Sequence, residues 1–84
     1  MTENNDILFY STWWCPDCRR AQKILDQREV AYQYIDINKD AKGRAYVEKV
    51  NNGNRSVPTI VFPDGDILVE PSIATLTKKL ESLV

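Results

Sequence analysis

Four short apolar runs, each too brief for a helix, mark out strands. Ile7-Leu8-Phe9-Tyr10 is continuous and bounded by polar residues, which predicts a buried strand. Ala31-Tyr32-Gln33-Tyr34-Ile35-Asp36-Ile37 alternates and is rich in β-formers, a second strand. Val57 to Phe62 and Ile67-Leu68-Val69 make a third and a fourth. Pro63-Asp64-Gly65 between them is a turn signal, so the two form a hairpin.

Between the strands the apolar period lengthens to that of helices. Ser11 to Trp14 read as a loop, and a helix starts at Cys15-Pro16, since proline is favoured at the first helical position. Cys18, Ala21, Ile24 and Leu25 fall on its inner face, and Arg28 lies near its end. Asp40 caps a second helix with apolar positions at Ala41, Ala45, Tyr46 and Val50. Gly43 weakens that helix, and Asn51-Asn52-Gly53-Asn54 ends it. Pro71-Ser72 opens the last helix, with Ser72 as its cap and Ile73, Leu76, Leu80 and Leu83 as its stripe. The order is β-α-β-α-β-β-α, an α/β fold. Its first β-α-β unit should cross over right-handed and give parallel strands. The hairpin adds antiparallel strands, for a four-stranded mixed sheet with three helices.

At 84 residues the chain makes a single domain, residues 1–84, with little room for a deep cavity. A functional site is therefore expected at the surface. Hydrophobic residues at 43% and charged residues at 27% fit a globular protein and exclude a disordered one. The net charge is -1 and the basic residues are scattered, which argues against nucleic acid as a partner. No apolar run approaches the roughly 18 residues that a membrane span needs. The segment Met1-Thr2-Glu3-Asn4-Asn5-Asp6 is polar and acidic, unlike a signal peptide. The expectation is a cytoplasmic monomer without membrane contact.

Two cysteines and no histidine narrow the chemistry. Two cysteines are few for a secreted disulfide scaffold. Without histidine, the base of cysteine–histidine hydrolases and the commonest metal ligand are both missing. One copy of the chain cannot build a zinc site of four cysteines, or of two cysteines and two histidines. No resident metal or tightly bound cofactor is expected.

The cysteines stand in Trp14-Cys15-Pro16-Asp17-Cys18. Residues three apart on a helix are neighbours, about 5–6 Å between Cβ atoms, so this pair can switch between dithiol and disulfide without refolding. The two are not equivalent. Cys15, at the helix start, has free backbone N–H groups and the helix dipole to hold a thiolate. Cys18, one turn inside, should be more buried and more protonated. Cys15 is thus the expected nucleophile and Cys18 the resolving thiol. Asp17 should oppose the thiolate, while Arg19 and Arg20 favour it.

The chain at this point resembles the glutaredoxins, and among them the mycoredoxin-like proteins. Three patches carry the likeness: the cysteine motif, then Asn54-Arg55-Ser56-Val57-Pro58-Thr59, then Pro63-Asp64-Gly65 through Pro71-Ser72. The resemblance implies a thioredoxin-like fold and a thiol–disulfide oxidoreductase. It implies a cis Pro58, which residue preferences alone would not favour. The Val57 backbone would pair with a bound thiol like an added strand. Trp14, Pro16, Arg55, Val57, Pro58 and Ser72 are the substrate-binding residues it implies around Cys15 and Cys18. The co-substrate would be a low-molecular-weight thiol such as mycothiol or glutathione. The protein partners would be S-thiolated or carry disulfides.

Two departures matter. Glutaredoxins carry Gly-Gly and then acidic residues before the last helix, where the γ-glutamyl end of glutathione binds. Here the stretch reads Val69-Glu70-Pro71-Ser72, which leaves the identity of the thiol open. The aromatic residue usual within the motif is replaced by Asp17. Trp13 could be a core residue or a surface for partners, and Tyr10, Tyr32 and Tyr34 are most simply sheet packing. Two rival readings remain: a thioredoxin-type donor recharged by a flavin reductase, and a cluster or metal carrier using Cys15 with an external thiol.

Overall fold

The computed structural model describes residues 6–83. The polar segment read above as unlike a signal peptide falls, but for Asp6, outside the described residues. The elements are β1 (Ile7–Ser11), α1 (Pro16–Gln27), β2 (Tyr32–Asp36), α2 (Ala41–Val50), β3 (Thr59–Val61), β4 (Ile67–Val69) and α3 (Ile73–Ser82). The strands form one sheet in the order β2-β1-β3-β4. β1 pairs parallel with β2, and β3 pairs antiparallel with both β1 and β4. This is the expected mixed sheet with three helices.

Alternation along β1 sorts the core into two layers. Ile7 and Phe9 face α1 and α3, joining Cys15, Cys18, Ala21, Leu25, Ile60, Phe62, Leu76 and Leu80 in one buried cluster. Tyr10 faces α2 and is buried with Ile37 and Val47, while Leu8, Ile35, Tyr46 and Val61 pack half-covered around them. Burial, then the neighbouring Tyr46 and Asp40, push the Tyr10 phenol above its ordinary pKa. Tyr32 and Tyr34 lean on Phe9, with ring centroids 5.7 and 6.1 Å away.

Several boundaries and faces differ from the sequence expectation. Ser11 belongs to β1 rather than to the loop, because its carbonyl accepts the Ile37 N–H at 3.0 Å. β2 is one residue shorter at each end than the alternating run. β3 begins at Thr59, not Val57: proline has no N–H for the ladder, and the Val57-Pro58 bond is cis. In α2 the buried positions are Gly43 and Val47, whereas Ala41 and Ala45 face solvent. Small alanines carried too little apolar signal to fix the phase of that helix. Gly43 is there for contact, since a Cβ on it would lie 2.8 Å from Ile35 Cγ2. In α3 only the middle of the stripe is covered: Leu76 and Leu80 are buried, but Ile73 and Leu83 at the two ends of the helix stay exposed.

Opposite the cysteines, the β3–β4 turn is tied to α3. Lys79 donates to Asp64 at 2.5 Å and to Asp66 at 2.6 Å, and its ammonium sits 5.3 Å from the Phe62 ring centre. The Lys79 ammonium holds the Asp64 carboxyl below its ordinary pKa, and Asp64 with Asp66 raises that of Lys79.

Candidate active site

The strand directions bring three segments to one end of the sheet. β1 ends there and runs through Thr12–Trp14 into α1. β3 is antiparallel to β1, so its start, with Ser56, Val57 and Pro58, lies at the same end. β4 ends there too: the Glu70 N–H donates to the Pro58 carbonyl at 2.8 Å, and α3 starts just beyond. Carboxyl ends of strands next to helix N-termini are where α/β folds place ligands.

Cys15 is the N-cap of α1, with Pro16 at the first helical position as expected. Its Sγ accepts the Cys18 backbone N–H at 3.0 Å, a contact that a capping oxygen makes in other helices. Cys15 and Cys18 form a disulfide with Cα atoms 5.2 Å apart. Cys15 is 5% exposed and Cys18 1%, so the inner sulfur belongs to the core and the outer one borders solvent. Cys15 Sγ also lies 3.9 Å from the Val57 carbonyl oxygen. Val57 packs against both core clusters, which fixes the loop across from the disulfide.

The remaining expected residues divide. Trp14, Pro16, Val57 and Pro58 belong to this end, Trp14 and Pro16 exposed and Pro58 buried. Ser72 is the N-cap of α3: its Oγ accepts the Thr75 N–H at 3.1 Å and donates to Thr75 Oγ1 at 2.9 Å. That hydroxyl caps α3 and is exposed. Arg55 is turned toward α2, where its Nε donates to Glu48 at 2.5 Å. Asp17 is paired with Arg20 on the exposed side of α1, so its charge is compensated. Arg19 donates from Nη2 to the Trp13 carbonyl at 3.2 Å instead of turning to the sulfur.

Two features had no clear signal in the sequence. Glu70 has φ +47, a left-handed conformation unusual for glutamate, at the bend between β4 and α3. Thr12 is buried, and its Oγ1 has no hydrogen-bond partner among the described residues. Trp13 is 66% exposed, beside Trp14 at 58%. An open depression of about 350 Å³ runs along α1, lined by Arg19, Gln22, Lys23, Asp26 and Gln27. It is walled by one helix and includes neither cysteine. Among the described residues, no three His, Cys, Asp or Glu side chains cluster as metal ligands. No helix among them is long and apolar enough to cross a membrane.

Comparison with known proteins bears on this geometry. Mycoredoxin 1 of Corynebacterium glutamicum is 39% identical over 79 residues, covering 94% of this chain and 98% of that protein. The crystal structure of the thioredoxin-like protein BC3987 superposes with a TM-score of 0.76 at 30% identity, covering 87% of this chain and 97% of that one. A buckwheat glutaredoxin–glutathione complex shares the fold, with a TM-score of 0.71 at 23% identity over 89% of this chain and 70% of that one. The family model described as Glutaredoxin matches residues 7–68, from the first residue of β1 into β4, and so includes both cysteines and the cis-proline loop. With a disulfide at the N-cap of α1, a cis-proline facing it and this sheet order, the chain belongs to the glutaredoxin family.

Proposed function

We propose that this single-domain chain is a cytoplasmic, monomeric glutaredoxin-type oxidoreductase that reduces mixed disulfides between proteins and a low-molecular-weight thiol. The observation that carries the reading is the Cys15–Cys18 disulfide at the N-terminus of α1, with Cys15 its N-cap at 5% exposure and Cys18 1% exposed one turn inside.

In the dithiol form, the N–H groups that face Cys15 hold its thiolate. That thiolate attacks one sulfur of the mixed disulfide. The substrate S–S bond breaks, and its electron pair leaves on the departing sulfur, which takes a proton from water. Cys15 is left in a mixed disulfide. Either Cys18 displaces the bound group and closes the Cys15–Cys18 disulfide, or a second small thiol displaces it and frees Cys15 directly. Two molecules of the small thiol return a closed disulfide to the dithiol and leave as their own disulfide. Trp14, Pro16, Val57 and Pro58 form the surface on which the small thiol lies, with its backbone alongside Val57. Mycothiol is the co-substrate supported by the likeness to mycoredoxin 1, and by Val69-Glu70-Pro71-Ser72 standing where glutathione-binding relatives carry glycines.

The test is reduction of one model mixed disulfide with mycothiol, glutathione and bacillithiol supplied in turn, for wild type, Cys15→Ser and Cys18→Ser. The reading expects a strong preference for mycothiol, no activity in Cys15→Ser and residual activity in Cys18→Ser. Turnover only with a flavin-dependent thioredoxin reductase would replace it with a thioredoxin-type donor.

A further inference from the structure

We infer that Trp13 determines specificity by docking an apolar side chain that flanks the cysteine of a protein substrate. The inference rests on the proposal that Cys15 exchanges disulfides with proteins. Trp13 is the most exposed large hydrophobic residue among those described, at 66%. Leaving an indole in water is unfavourable, and such a side chain next to a reactive group marks a contact surface.

The exposure is built in. Ser11 and Thr12, which lead into the loop, are buried. The Thr12 carbonyl accepts the Cys15 N–H at 3.4 Å and the Ser11 hydroxyl at 3.0 Å. Arg19 reaches back from α1 to hold the Trp13 carbonyl at 3.2 Å. The backbone of Trp13 is thus tied at both sides while its ring stands in solvent. An aromatic side chain on a backbone held in place is a common anchor of a binding surface, because less freedom is lost when it is covered.

Covalent chemistry names the occupant. When Cys15 attacks a disulfide, the attacking, central and leaving sulfurs lie in a row. Either half of the substrate is then within two S–S bonds of Cys15 Sγ. The residues flanking a substrate cysteine must pass over the surface around Cys15, and two residues before it stands Trp13. A small thiol seated along Val57 lies against the other side of the sulfur. The charge next to Trp13 is modest: Asp17 and Arg20 neutralise one another, and Arg19 is turned to a carbonyl. Apolar contact is therefore the dominant recognition the loop offers.

The experiment follows one turnover of the reduced protein on three thionitrobenzoate mixed disulfides, reading thionitrobenzoate release at its visible absorbance band. One carries 2-mercaptoethanol, one a peptide with leucine on both sides of its cysteine, and one the same peptide with serine there. Wild type should react about tenfold faster with the leucine peptide than with the serine peptide. Trp13→Ala should reduce that ratio to within about twofold and leave the 2-mercaptoethanol rate within about twofold of wild type. Trp13→Phe should restore most of the ratio, and Arg19→Gln should lower it part of the way, since it frees the loop without removing the ring. Absence of a leucine preference in wild type, or its survival in Trp13→Ala, overturns the inference. So does an equal loss in Trp13→Ala on all three substrates, because Trp13 would then act on Cys15 itself. These outcomes leave the proposed function standing. Failure of wild type to release thionitrobenzoate from any of the three removes both.

Discussion

The two faces of the sheet are built unequally. On the side of α1 and α3, two helices close over Ile7, Phe9 and Ile60, and both cysteines are members of the buried cluster. On the other side α2 alone covers Tyr10, Ile37 and Val47, and the apolar residues around them remain half-open. The first face therefore holds the larger core and the disulfide in the same residues. Cys18 is as buried as the aliphatic side chains around it, so core packing sets where the inner sulfur sits. The second face reaches the disulfide only through Val57, which packs against both clusters. Changes on the α1–α3 face should alter both stability and redox behaviour, and changes on the α2 face away from Val57 stability alone.

The sharpest way to break this contrast is a matched pair of truncations. Leu76→Ala removes a fully buried side chain from the α3 wall of the redox face. It should cost about 3 kcal/mol in urea unfolding. It should also speed reduction of the disulfide by dithiothreitol, because the cavity loosens the packing behind Cys18. Val47→Ala on the α2 face deletes fewer atoms and should cost about 2 kcal/mol, with the reduction rate unchanged. If both variants shift the reduction rate equally, the two faces are coupled and the contrast fails.

Gly43→Ala tests how closely α2 rests on the sheet. Alanine is the better helix former by about 1 kcal/mol, so propensity alone predicts stabilisation. The new Cβ would meet Ile35 Cγ2 at 2.8 Å and Tyr10 Cε1 at 3.4 Å. Ile35 is β-branched and stiff, so relief requires α2 to move. A net destabilisation of about 1 kcal/mol is expected, since overpacking costs more than the propensity gain. A stabilised variant would show that α2 lifts off the sheet freely.

Lys79 offers a pH test at the far end of the redox face. Asp64 has a folded pKa below its ordinary value of 3.8, so its stabilisation is present above that pH and disappears as pH falls through the folded value. Lys79 is raised above 10.5, so its share is present below that pH and is lost as pH rises through the folded value. The wild-type advantage over Lys79→Gln should hold on the plateau between those limits and vanish at the acid end. It should be smaller than the effect of Gly43→Ala, because the carboxylates are solvent-exposed. Thermal unfolding of both proteins from pH 2 to 8 measures it, and a difference that persists below the Asp64 titration would point to lost packing on Phe62 instead.

Element order and the cysteine pair were legible in the sequence because the signals were local. Cys15-Pro16 marks a helix start, Asp40 and Ser72 are caps, and Pro63-Asp64-Gly65 is a turn, each read from a few adjacent residues. What failed was set by particular side-chain contacts that helix and strand periods do not encode. The phase of α2 depends on Gly43 meeting Ile35, which no helical period reveals. The fate of Asp17, Arg19 and Arg55 was decided by partners close at hand, Arg20, the Trp13 carbonyl and Glu48. Charge counting near Cys15 ascribed to Asp17 and the arginines an influence on the sulfur that these pairings absorb. The cis form of Val57-Pro58 came from family likeness, because residue preferences alone favour trans.

The smallest expected effect is that of Thr12→Val, where β1 gives way to the redox loop at two adjacent hydroxyls with opposite standing. Ser11 Oγ donates to the Thr12 carbonyl at 3.0 Å, so Ser11→Ala removes a buried hydrogen bond and should cost about 0.5–1.5 kcal/mol. Thr12 Oγ1 is buried with no partner among the described residues. A buried polar atom without a partner is a desolvation cost that the fold already bears. Thr12→Val keeps the shape and removes that cost. The expected change runs from nothing to about 1 kcal/mol of stabilisation, read from the urea midpoint at unchanged slope. Because Thr12 also anchors the loop ahead of Cys15 through its carbonyl, which the substitution keeps, the single-turnover rate with 2-mercaptoethanol–thionitrobenzoate should not move. A loss of more than about 0.5 kcal/mol would mean that the hydroxyl is satisfied in solution, by a buried water for example. A changed rate at unchanged stability would instead tie this hydroxyl to the cysteine pair.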